Sequence, residues 1–294
     1  MSLSNNVART ALASSLLLAA ACGGSTHTVA PEDPYLSGPG SGGSGSGAGD
    51  PGGPRLTLAL RGSVAPFAHG DAFSGQTPTR QIVAIRSLWL YKSAADPSPL
   101  KVLDLGANAV ESDLVSGVTS DIGTVALRSL PAGTYTLAKV GTAYVRYSVA
   151  SRMHSVLTAD GRYDNVQALS DGAVIDGQTR PKGWYRYSFA VGATTYGALE
   201  GTNAPLPQLP SAGGISLESS GAESFYVFPT SLTIEPGQPV DQRVVCEVNV
   251  HESFRWQDQA EPGYAPHVYD TTPTAFELVM AFGANAFSLN LEAK

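Results

Sequence analysis

The sequence predicts an all-β protein, an antiparallel β-sandwich that follows a disordered N-terminal tether. Three observations support this prediction. Apolar and polar residues alternate with a period of two in many short segments, glycine and proline separate most of these segments, and no segment sustains an amphipathic helical pattern with caps at both ends. Because a strand with one apolar face must bury that face against another layer, two packed sheets are the expected architecture.

The N-terminal residues have the pattern of a secretion signal. One charge, Arg9, precedes an apolar core from Ala11 to Ala21, which is much shorter than the roughly 20 residues that span a bilayer. The small residues before Cys22 resemble the lipobox of bacterial lipoproteins. This resemblance implies that residues 1–21 are a signal peptide and that Cys22 carries the lipid anchor. Gly23, where an inner-membrane retention signal would have aspartate, implies the outer membrane if the cell has two membranes, with the periplasmic and the surface-exposed side both open.

Residues 22–54 are predicted to be a lipid-anchored linker. The stretch SGPGSGGSGSGAGDPGGP, residues 37–54, is almost entirely glycine, serine and proline, a composition that buries too little apolar surface to offset the entropy of ordering. A flexible chain of this length has an r.m.s. span on the order of 30 Å. We therefore expect it to hold a folded domain clear of the membrane.

The predicted sandwich occupies residues 55–294, as one domain or as two packed sub-sandwiches. The alternation is clearest around Leu58 and around Cys246. The segment 107–116 is the best candidate for a single short helix. Further strands are predicted at 81–92, 100–105, 123–130, 133–149, 184–191, 223–234, 275–282 and 286–292.

Two segments resemble an uncharacterised β-sandwich domain of secreted and lipid-anchored bacterial proteins. They are LRSLPAGTYTLAKVG, residues 127–141, with its Leu-Pro-x-Gly-x-Tyr turn, and FPTSLTIEPGQPVDQRVVCEVNVHESF, residues 228–254. The resemblance implies a sandwich with a transthyretin-like or Greek-key order of strands. It assigns no catalytic residue.

Composition excludes one class of partner. Charged residues make up 15% of the chain and the net charge is −7, so there is no basic cluster to neutralise nucleic-acid phosphates. The cysteines are Cys22 and Cys246. A lipidated Cys22 leaves Cys246 unpaired, and its parity with Val244 and Val248 predicts a buried thiol.

The loop WQDQAEPGYAPHVYD, residues 256–270, is the predicted ligand site. Exposed aromatic rings and carboxylates on loops are typical of sugar-binding sandwiches, which makes a carbohydrate or an envelope protein the expected ligand. The alternative is that the rings only close the end of the core. The candidate binding residues are Trp256, Asp258, Tyr264, His267, Tyr269 and Asp270.

Catalytic and metal signals in the sequence are weak. We predict no catalytic residue, no metal and no cofactor, and the membrane is contacted only through the lipid anchor. The alternative function is a surface-anchored hydrolase with Asp258 and Asp270 as paired carboxylates. The segment HESFR, residues 251–255, begins like a zinc-protease motif but has Arg255 in place of the second histidine. Calcium near the aspartates from Asp160 to Asp176 is left open, since Asp-Gly turns explain the same pattern.

Overall fold

The computed structural model describes residues 53–209, 214–273 and 275–293, all within the unit Gly42–Lys294. The predicted signal peptide, the predicted lipidation site Cys22 and nearly all of the predicted linker lie outside these residues. The regular secondary structure of the described residues is almost entirely β-strand, and its one helical element is the 3₁₀ turn Leu127–Ser129. The all-β prediction is therefore confirmed, with several antiparallel sheets packed against each other.

The strands are numbered in chain order. Their bounds are β1 Arg55–Ser63, β2 Ser74–Gln76, β3 Arg80–Tyr91, β4 Leu100–Asp104, β5 Val110–Asp113, β6 Thr119–Ala126, β7 Gly133–Met153, β8 Ala159–Ala168, β9 Ala173–Ile175, β10 Gln178–Arg180, β11 Tyr185–Val191, β12 Thr194–Gly201, β13 Ser216–Ser220, β14 Glu223–Ile234, β15 Gln242–Asn249, β16 Phe254–Gln257, β17 Asp270–Thr271, β18 Leu278–Ala281 and β19 Ala286–Ala293.

Strand β7 organises the largest sheet. Antiparallel β3 pairs along its middle, while β14 and β8 pair with its first and second halves respectively. Because β3 overlaps both of these partners, β14 and β8 must lie on the edge of β7 opposite to β3. The 21 residues of β7 thus join two neighbouring regions of the protein.

The Leu-Pro-x-Gly-x-Tyr motif, residues 130–135, forms the turn into β7. Gly133 has φ +151°, a conformation that favours glycine. The ring of Tyr135 is buried, and its hydroxyl donates to the carbonyl oxygen of Pro131 at 3.1 Å. A tyrosine that bonds back to the chain a few residues upstream closes a corner of the sandwich in the same way in other β-sandwich proteins.

The first region is the sandwich core. A four-stranded sheet in the order β19-β15-β1-β6, in which β1 and β15 are parallel, packs against the sheet of β3, β7 and β14. Leu58, Cys246 and Phe228 belong to the same buried cluster. Cys246 is 5% exposed and unpaired, and burial raises the pKa of its thiol to about 12, which confirms the predicted orientation of β15.

The second region positions the site. The small sheet β18-β16-β2 packs on the far half of β7 and on β8 through a separate cluster of mostly aromatic side chains. Its buried members are Tyr147, Val149, Tyr163, Phe254, Trp256 and Tyr269.

Two local predictions are wrong. The segment 107–116 contains strand β5 rather than a helix, because residues 110–113 pair with β3 and Ser112 and Leu114 are buried two positions apart. The Asp160-Gly161 pair lies inside β8 rather than in a turn. The turns at Gly172 and Gly177 are as predicted, with φ +71° and +73°.

The four aspartates considered for calcium each have a partner of their own. Asp160 pairs with Arg152, Asp164 with Arg162 and Asp176 with Arg146, while Asp171 accepts a hydrogen bond from the backbone N–H of Lys182. In the described ranges they do not come together as one cation site.

Candidate functional site

Two of the predicted binding rings belong to the core. Trp256 and Tyr269 are 0% and 1% exposed, and their ring centroids lie 5.7 Å apart in an edge-to-face arrangement. Trp256 has the same parity on β16 as buried Phe254, so both rings face the aromatic cluster. The idea that these rings are exposed for stacking on a sugar is wrong, and the alternative that they close the core is confirmed.

Three carboxylates hold the loop between β16 and β17 in place. Asp258 accepts from the indole N–H of Trp256 at 2.9 Å and from the backbone N–H of His267 at 3.3 Å. Asp270 accepts from the backbone N–H of Ala265 at 3.0 Å. Glu277 accepts from the backbone N–H groups of Gln259 and Asp270 at 2.7 and 2.8 Å.

Asp270 is completely buried, and its second oxygen lies 2.6 Å from Nε2 of His154. The His154 ring stacks on the half-buried ring of Tyr264, with 4.8 Å between the centroids. Tyr264 therefore packs on a histidine that is fixed by the buried carboxylate.

These contacts bear on the hydrolase alternative. All six oxygens of Asp258, Asp270 and Glu277 accept a hydrogen bond. Burial, followed by the charges of the two aspartates, raises the pKa of Glu277, but this carboxyl is 1% exposed and is bonded to two backbone amides. The geometry therefore favours a structural role for this carboxylate group.

A polar cleft of about 340 Å³ opens beside this loop. One wall is the segment Phe67–Gly75 between β1 and β3, and the other is the turn between β15 and β16. It is lined by Phe67, His69, Asp71, Phe73, Ser74, Gly75, Glu252, Arg255 and His267.

Arg255 holds the two walls together. Its side chain is 6% exposed; the guanidinium pairs with Asp71, donates to the carbonyl oxygen of Phe73 at 2.6 Å and lies 3.5 Å from Glu252. Burial tends to raise the pKa of Asp71, but the hydrogen bonds from Arg255 and from the backbone N–H of Phe73 hold that pKa below its ordinary value. A side chain at residue 75 would displace this guanidinium, because a Cβ there would lie 2.2 Å from it.

Ser74 joins the cleft to the predicted loop. Its hydroxyl lies 2.5 Å from Oδ2 of Asp258 and 2.9 Å from Nδ1 of His267. A hydroxyl has one hydrogen and a carboxylate can only accept, so the serine donates a hydrogen bond to Asp258 and its oxygen accepts one from the Nδ1–H of His267. This assignment leaves His267 without a free Nδ1 lone pair to activate the serine as a nucleophile.

The cleft gathers only part of the predicted site. Exposed His267 lines the cleft, and exposed Asp258 is hydrogen-bonded to Ser74 in the cleft wall. Tyr264 lies against His154. The other three predicted residues, Trp256, Tyr269 and Asp270, are buried. Sequence reasoning missed the segment 67–75. Its FAHGDAFSG composition, with two aromatic rings, a histidine and an aspartate between two strands, is the signal that would have found it.

The comparisons with known proteins give no assignment: no family model, no curated protein and no solved structure matches this chain. In the part of the chain that the structure describes, no helix has the length and the apolar composition needed to cross a membrane.

Proposed function

We propose that this chain is a lipid-anchored protein of the bacterial cell envelope whose β-sandwich is a non-catalytic binding module, with a carbohydrate as its ligand. The observation that supports the proposal is the polar cleft between the segment Phe67–Gly75 and the β15–β16 turn. Its volume of about 340 Å³ falls within the range of small-molecule sites, which is about 300–1,000 Å³.

The chemistry of the cleft suits a polyhydroxylated ligand. The partly exposed rings of Phe67 and Phe73 offer apolar faces, while Asp71, Glu252 and His267 offer acceptors and donors for hydroxyl groups. The buried guanidinium of Arg255 ties both walls of the cleft to one point, so little ordering is needed when a ligand binds.

The binding proposal is tested by screening the purified chain on an array of bacterial envelope glycans. We expect retention of a limited set of glycans, and at least about tenfold weaker binding when Phe67 and Phe73 are both replaced by alanine. Tyr196→Ala is the matched control, because this aromatic ring is 63% exposed on β12 and does not line the cleft. Equal retention of all glycans by the parent and the double variant would refute the proposal.

The anchor is tested through Cys22. If the cysteine carries the lipid, Cys22→Ala removes the site of both acylation and cleavage, so the variant should accumulate as an uncleaved precursor that incorporates no labelled fatty acid. Cys246→Ala is the control and should incorporate label like the parent. Equal labelling of the Cys22→Ala variant and the parent would show that the chain is not anchored at this residue.

A further inference from the structure

A second kind of site lies at one wall of the cleft. His69 comes from the segment between β1 and β3, and His251 and Glu252 come from the turn between β15 and β16. One potential ligand atom from each of these three side chains lies within 4.8 Å of the other two. In the described residues this is the one group of histidine, cysteine and acidic side chains with that spacing.

The tautomer of the neutral His69 ring follows from its contacts. Its Nε2 lies 3.2 Å from the carbonyl oxygen of His251, and because a carbonyl can only accept, Nε2 carries the hydrogen. In the neutral ring Nδ1 is then a lone pair. This atom is shielded from solvent, and no group of the described residues forms a hydrogen bond with it. Metal-bound histidines commonly show this arrangement, with one ring nitrogen donating to a backbone carbonyl and the other binding the ion.

The other two side chains are also available. Nδ1 of His251 accepts a hydrogen bond from the backbone N–H of Phe67 at 3.3 Å, which is longer than the usual range and is readily exchanged for a stronger interaction. The Glu252 carboxylate lies 3.5 Å from Arg255, beyond the length of a strong charge-assisted bond. Asp71, also paired with Arg255, gives the cluster a net negative charge when both histidines are neutral.

From these contacts we infer that His69, His251 and Glu252 bind a divalent transition-metal ion, for which zinc is the best match. Two imidazoles and one carboxylate form a three-ligand zinc set that leaves one coordination position open. Around a tetrahedral ion with bonds of about 2.1 Å the donor atoms are about 3.4 Å apart, so the three side chains must close by roughly an ångström. Because His69 and Glu252 line the cleft, the open position faces its interior.

The test uses the purified, metal-stripped and untagged chain, titrated with zinc by calorimetry. We expect one saturable ion per chain. Replacement of His69 or His251 by glutamine, or of Glu252 by glutamine, should weaken zinc binding by at least about tenfold. The matched control is His154→Gln, since this histidine is bonded to Asp270, and it should bind zinc like the parent.

Two measurements on the parent chain keep the test decisive when a variant folds poorly. Cobalt(II) should give the visible absorption of a four-coordinate nitrogen and oxygen site, and zinc should shift the ring nitrogen resonances of His69 and His251 but not those of His154. No saturable zinc binding, equal affinity of the three variants and the parent, or zinc-induced shifts confined to other histidines would overturn the inference. The outcome is independent of whether the cleft binds a carbohydrate, because zinc alone is the probe.

Discussion

Replacing Trp256 by alanine should lower the free energy of unfolding by about 3–5 kcal/mol, the usual range for removing a large aromatic side chain from a core. The ring is fully buried between Phe254 and Tyr269, with centroid separations of 5.8 and 5.7 Å. Its indole N–H also donates to Asp258, so the change removes one contact that holds the loop. For a domain of this size we expect the melting temperature to fall by about 10 °C.

The matched control for this variant is Trp89→Ala. The Trp89 ring is only partly buried on β3 and packs against Lys101, so its loss should cost clearly less. Thermal and urea unfolding of both variants measure the difference. Equal stability losses for the two would mean that Trp256 is not a core residue and would reopen its assignment as a binding ring.

Gly62→Ala should destabilise the protein by about 3 kcal/mol or more, because forced overpacking displaces backbone and not only side chains. A Cβ at this position of β1 would lie 1.6 Å from the carbonyl oxygen of Leu114. Real contacts of this kind do not occur, so β1 or the chain after β5 must move. Since β1 pairs with both β15 and β6, the displacement disturbs the whole four-stranded sheet.

Gly197→Ala is the control for the glycine prediction. Gly197 lies in strand β12 with open space where a Cβ would project, so alanine there should be neutral or slightly stabilising. Urea unfolding of the two variants compares them directly. A Gly62→Ala variant as stable as Gly197→Ala would mean that residue 114 does not cross β1 at this point.

The part of the fold that could be predicted from the sequence is the part where local pattern and tertiary burial agree. Strand β14 has the predicted bounds because its alternation and the flanking turns are both strong. Strand β8, ADGRYDNVQA, was not recognised, because it has few apolar residues and is stabilised by pairing with β7 and β11 on its two edges. The helix predicted for residues 107–116 is wrong for the same reason, since pairing with β3 determines the conformation of this segment.

The site was less predictable because it depends on contacts between distant residues. Asp71 and Arg255 are 184 positions apart in the sequence and yet pair directly. No periodicity in either segment predicts this contact. The loop after β16 is rich in aromatic and acidic residues, and this composition is all that its sequence shows. Which of its rings are buried depends on how β16 packs against β7 and β8. The sequence of the loop alone carries no information about that packing.

We expect ligand contacts to lie in the cleft lined by Phe67 and Phe73 and not on the aromatic rings of the loop. The most direct test is a calorimetric titration of one array-selected oligosaccharide into three chains: the parent, Phe67→Ala with Phe73→Ala, and Tyr264→Ala. We expect at least about tenfold weaker binding by the double variant. Tyr264→Ala should change binding little, because the Tyr264 ring packs on His154 and does not line the cleft. Loss of binding in Tyr264→Ala, with the double variant binding like the parent, would contradict this position of the ligand.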